Sequence, residues 1–215
     1  MGSILALTLA MMQPLEARAL EDKKPERIVK GAAITSLKDP KIEIRLPKRF
    51  RYAGAARWDL NDVADCEMHL FVDADKNRRV KSYVWVQFEG YLDSAPNGIY
   101  AYKGGSMMNL GSREFNVRAR FGKDEVPKAG SDAERAFQLI RSAGFSLPSE
   151  LMNVRFVHLL PGSRDRKELM IIYGEDMSLV NLKFEDCIDG DKPSRRWFKE
   201  EGPLIERAKS TLKFE

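Results

Sequence analysis

Glu67 and His69 are the residues whose types and spacing come nearest to acid–base chemistry. They stand two apart in the alternating run 66–72, so a strand there puts both side chains on one face. A carboxylate that orients an imidazole is what a general base requires. A hydrolase or isomerase working through His69 and Glu67 is therefore one expectation, and a surface or structural pair is the plainer alternative. His158 is the second of two histidines and shares its side with Phe156 and Leu160, which suits a buried, hydrogen-bonded ring. Zinc takes three or four ligands, and two distant histidines do not supply them, so no metal site is assigned.

Aromatic residues offer a different chemistry. Tyr83 and Trp85 share one face of the run 80–89, while Tyr100 and Tyr102 follow within the Gly-rich stretch 90–111. Rings with polar tips stack planar or sugar-like ligands. Tyr83, Trp85, Tyr100 and Tyr102, with His69 and Glu67, form the candidate ligand-binding set, although Tyr83 and Trp85 can equally be sheet core. Arg118 and Arg120 fall on the polar face of their strand, open either to an anion or to solvent.

Motifs for nucleotide binding, zinc-dependent hydrolysis and a serine nucleophile elbow are absent from the sequence. Asp73-x-Asp75-x-Asn77 begins like a calcium loop, but Arg78 stands at the glycine position and Val84 at the final glutamate position. An Asp- and Asn-rich turn accounts for it better. No catalytic residue and no cofactor is assigned.

The chain has 215 residues and a net charge of +4. Residues 20–57 hold eleven basic and five acidic side chains, while 1–19 are neutral overall, so 58–215 carry −2. A pI near 9 thus belongs to the N-terminal segment. Lys41, Arg45, Lys48, Arg49 and Arg51 make a basic strip that can attract anionic lipid or an envelope polymer, or simply protect an edge strand. The modest total charge argues against specific nucleic-acid binding.

Residues 4–12 are uncharged and mostly apolar, and Ala17-Arg18-Ala19 precedes a charged run. That pattern describes a secretory signal peptide, lacking only a basic start, and it places the protein in the periplasm or outside the cell. Export leaves open a disulfide between Cys66 and Cys187, against two separate buried thiols.

These residues need elements to position them. Period-2 alternation marks strands at 41–46, 66–72, 80–89, 98–102 and 113–121, and a hairpin over 153–173. Ser131 with Glu134 reads as a capping box opening a helix that Gly144 stops. Pro203 suits the first turn of a C-terminal helix carrying Leu204, Ala208 and Leu212. Strands grouped before helices predict an α+β fold. The expected architecture is a curved, mostly antiparallel sheet of about seven strands, packed on its concave face by a mid-chain helix and a C-terminal helix. Residues 1–19 read as the leader, 20–40 as a polar linker or edge segment, and 41–215 as one domain. The leading functional expectation is an exported, non-enzymatic envelope protein that binds a small molecule between sheet and helix. The alternatives are the His69/Glu67 enzyme and an interaction module docking an anionic partner through the basic edge. Composition leaves the oligomeric state open.

Overall fold

The computed structural model describes residues 23–123 and 127–215. The leader expectation, with its apolar run, lies outside the described residues. The N-terminal hairpin β1 (Ile28–Lys30) and β2 (Ala33–Ser36) continues into β3 (Ile42–Arg45). Then come the long strands β4 (Arg51–Leu60), β5 (Ala64–Ala74) and β6 (Val80–Tyr91). β7 (Ser106–Leu110) and β8 (Arg113–Lys123) precede helix α1 (Asp132–Ser142). A hairpin of β9 (Glu150–Leu159) and β10 (Lys167–Asp176) follows. The chain closes with the short pair β11 (Ile188–Asp189) and β12 (Lys192–Pro193), helix α2 (Arg195–Thr211) and β13 (Lys213–Phe214).

The fold is α+β, built on a seven-stranded antiparallel sheet in the order β4-β5-β6-β10-β9-β8-β7. Two meanders meet at its centre, where β6 pairs with β10. β6 is apolar on both faces, as a strand with neighbours and cover on both sides must be. β1, β2, β3 and β13 form a separate four-stranded sheet, so the two ends of the described chain meet there.

Alternation divides the large sheet's side chains between two cores. One face packs Phe88, Phe115, Phe156 and Ile171 against the small sheet and α2, through Ile44, Trp197, Leu204 and Ala208. The other packs Trp58, Met68, Leu70 and Trp85 under α1, through Ala136 and Ile140. The helices therefore cover opposite faces, not one concave face, because the sheet has an apolar stripe on each side. Cys66 sits in the second core and Cys187 in the first, so the sheet separates them; both are free thiols, and the disulfide left open by the sequence does not form.

α1 begins where its cap predicts, with Ser131 Oγ accepting from the Glu134 backbone N–H at 3.2 Å. Glu134 reaches back to the Gly130 N–H at 2.7 Å, one residue earlier than a capping box requires. Gly144, at φ +79°, follows the C-cap. α2 starts eight residues before Pro203, because Ser194 caps the Trp197 N–H and the helix carries the proline inside it. Its apolar stripe, anchored by Trp197, Leu204 and Ala208, outweighs the hydrogen bond that Pro203 cannot donate. Residues 98–102, expected as strand, are irregular and belong to the loop that carries the chain from β6 to the far edge at β7.

Candidate functional site

The site arises where two strands part. The ladder between β8 and β9 ends at Asn116 and Val157. One position further on, His158 Nδ1 lies 2.8 Å from the Glu114 carbonyl, so the imidazole takes the place of the next backbone hydrogen bond. A carbonyl only accepts, hence Nδ1 carries a proton and donates, leaving Nε2 as the ring nitrogen available to a ligand. Beside this gap opens a cleft of about 870 Å³. It is walled by Asp39–Lys41, Tyr102, Met107, Glu114 and the turn Pro161–Ser163. Small-molecule sites span roughly 300–1,000 Å³, so the cleft is large enough for one.

Tyr102 joins the cleft to a buried polar cluster. Its hydroxyl donates to Glu168 Oε2, and its ring lies 4.9 Å from the Arg155 guanidinium carbon. Glu168 faces Glu89 directly across β6–β10. Burial, then the charge of Glu89, drives the Glu168 carboxyl up to about 7, against lowering by Tyr102 and Arg155. Burial and the charge of Asp132 also raise Glu89. Gln87 ties this cluster to the helix: its amide donates to Glu89 and, at 3.0 Å, to Asp132 in the first turn of α1. Its carbonyl accepts from Trp85 Nε1 at 2.7 Å. The result is a pair of facing buried carboxyls, both raised above the usual carboxylate range, beneath a tyrosine.

The loop that delivers Tyr102 is held by Arg166. Its Nη1 donates to the carbonyls of Ala95, Pro96 and Gly98, and its Nη2 to that of Leu92, at 2.7–3.0 Å. One guanidinium thereby replaces the ladder that residues 92–98 lack. Tyr91 and Tyr100 stack with ring centres 4.6 Å apart beside it.

The structure divides the residues singled out from the sequence. Tyr100 and Tyr102 come together around Glu89 and Glu168, with the Tyr100 hydroxyl buried outside hydrogen-bond geometry. Tyr83 and Trp85 point to the same face but lie in the core, at 4% and 5% exposure. Glu67 and His69 occupy the opposite face, since they alternate with Cys66 and Met68 along β5. His69 is engaged at both nitrogens, by Tyr52 Oη at 3.1 Å and Glu67 Oε1 at 2.9 Å. Burial raises the Glu67 carboxyl, but hydrogen bonds from His69, from the Arg27 and Glu26 backbones and from the Arg27 side chain outweigh it and hold the group at about 2. Tyr52 is raised to about 12 by burial and by the Glu67 charge, so it stays a hydroxyl donor. This chain ties residues 26–27 to the sheet.

Of the basic strip, Lys41 lines the cleft, Arg45 pairs with Glu43 and Glu215, and Arg49 pairs with Asp73. Arg51 is half spent on the Ala74 carbonyl and the Phe145 ring, and Lys48 is exposed. Glu89, Glu168 and Arg166 were not singled out from the sequence. A lone Glu inside an apolar strand is a detectable signal, but the opposition of Glu168 to Glu89 depends on pairing between strands that are distant in the chain. No protein-family model, curated protein or solved structure matches this chain.

Proposed function

We propose that the protein is an exported binding domain that takes a small polar organic molecule in the cleft beside Tyr102 and His158. The observation that carries this reading is the opening of about 870 Å³ at the end of the β8–β9 ladder, where His158 is fixed through Nδ1. A fixed imidazole and a fixed tyrosine present polar groups whose orientation has been set before a ligand arrives, which lowers the cost of binding. Export is supported by the apolar run 4–12 and the triplet Ala17-Arg18-Ala19. Catalysis through His69 is less well supported, because that ring is 1% exposed and both nitrogens are occupied.

Thermal-shift screening against small polar compounds tests the reading. Met107 is 58% exposed and lines the cleft, so Met107→Trp fills it from the surface at little risk to the fold. Compounds that stabilise the wild type should lose their effect in Met107→Trp and weaken in His158→Ala. A ligand response untouched by both substitutions, or no response to any compound, refutes the cleft as the site.

A further inference from the structure

Most arginines of the molecule are answered by a carboxylate or a carbonyl: Arg27 by Glu67, Arg57 by Asp65, Arg207 by Glu175, Arg166 by its loop. Arg118, Arg120 and Arg155 are different. Among the described residues, no carboxylate lies within ion-pair distance of any of the three, and Arg155 Nε is buried without a hydrogen-bond partner. Glu168 influences Arg155 only from beyond that distance.

Their placement is set by register. Arg118 faces Arg155 across β8–β9, and Arg120 faces Asn153. Facing side chains on one sheet surface have Cβ atoms about 4.5–5.5 Å apart. Three guanidiniums and an amide, each able to donate, therefore occupy one block. Like charges in facing positions destabilise a sheet, so this block costs stability while unoccupied. Burial and the charges of Arg118 and Arg155 lower the Arg120 pKa, as expected for positive charge left uncompensated. α1 covers the other end of this face, over β4 and β5, and Arg118 and Arg120 are exposed.

The block adjoins the cleft. Asn116 and Val157, which line it, form the neighbouring row on the same face. Two residues along a strand separate the rows, about 7 Å. Arg155 also stacks on Tyr102, itself a wall of the cleft.

We propose that Arg118, Arg120 and Arg155, with Asn153, hold the phosphate group of a small phosphorylated molecule whose organic part enters the cleft. Guanidinium forks match phosphate oxygens in pairs, and three cations suit a multiply charged phosphate better than a single carboxylate. The organic half rests on the binding function proposed above; the anion block stands without it.

The probe is inorganic pyrophosphate, titrated calorimetrically into the full chain at low salt. Arg118→Gln and Arg155→Gln should each weaken binding about tenfold or more, and added salt should weaken it further. Arg118→Gln should also raise the melting temperature of the unliganded protein, which shows that the variant is folded and that the facing cations repel. Failure of the cleft reading alone would show as intact pyrophosphate binding with no organic ligand sensitive to Met107→Trp. The anion site is overturned if pyrophosphate does not bind, or binds equally well to the arginine variants. Sedimentation with phosphatidylglycerol vesicles provides the remaining arm. Arginine-dependent retention that pyrophosphate fails to displace assigns the block to a lipid surface and overturns the small-phosphate proposal.

Discussion

Replacing Glu168 by Gln should convert a pH-dependent weakness of the fold into a pH-independent strength. Glu168 is 2% exposed and faces Glu89 across the central strand pair. Burial and the second carboxylate raise its pKa from 4.5 to about 7. A carboxyl raised in the folded state favours folding when protonated. Its contribution is complete below 4.5 and is lost as pH rises through about 7. At about 1.4 kcal/mol per pH unit, ionising the buried group removes about 3 kcal/mol across that interval. Glu168→Gln keeps the shape, retains an oxygen that accepts from Tyr102, and cannot ionise. It also relieves Glu89 of a facing charge. Urea unfolding of both proteins at steps from pH 5 to pH 8 measures the effect, and differences between them cancel the titration of the common groups other than Glu89, whose easing adds to the gain in the same direction. The two should be close in stability at pH 5. The variant should gain steadily with pH, reaching an advantage of about 3 kcal/mol near pH 8 and levelling there. A difference that stays constant across the range, or grows toward acid, refutes the reading of Glu168 as a carboxyl raised by burial beneath Tyr102.

Two further outcomes follow from packing. A Cβ at Gly174 would come within 2.2 Å of the Tyr83 ring, which sits in the facing position of β6, so Gly174→Ala should cost about 1–3 kcal/mol; an unchanged urea midpoint contradicts it. Because Cys66 and Cys187 are buried on opposite faces of the sheet, a thiol reagent should find almost none reactive in native protein and both after unfolding without reductant. A missing thiol signal in the unfolded, unreduced chain would mean that a bond had formed.

The fold class and the identities of most elements follow from patterns within a few residues. Alternation along 66–72 and 80–89 suffices for β5 and β6, and the Ser131 hydroxyl suffices to start α1, because a cap and a pleat are local interactions. Residues 98–102 show where such reasoning stops. Their composition suits a strand, yet Arg166, more than sixty residues downstream, binds the carbonyls of Ala95, Pro96 and Gly98 at the segment's entry and keeps it out of the sheet. Pro203 likewise permits a helix start, but Ser194 provides an earlier one.

The candidate site was legible only in fragments. Tyr100, Tyr102 and His158 are conspicuous as residue types, and the spacing of two from Glu67 to His69 correctly places them on a common face. Sequence alone determined which side chains share a strand face, since a pleat has period two. Only the tertiary structure decided which faces meet, because strand order and register are set by contacts between distant segments. That is why Glu67 and His69 lie across the sheet from Tyr83 and Trp85, why Glu89 confronts Glu168, and why three arginines from two strands converge with no carboxylate among the described residues to neutralise them.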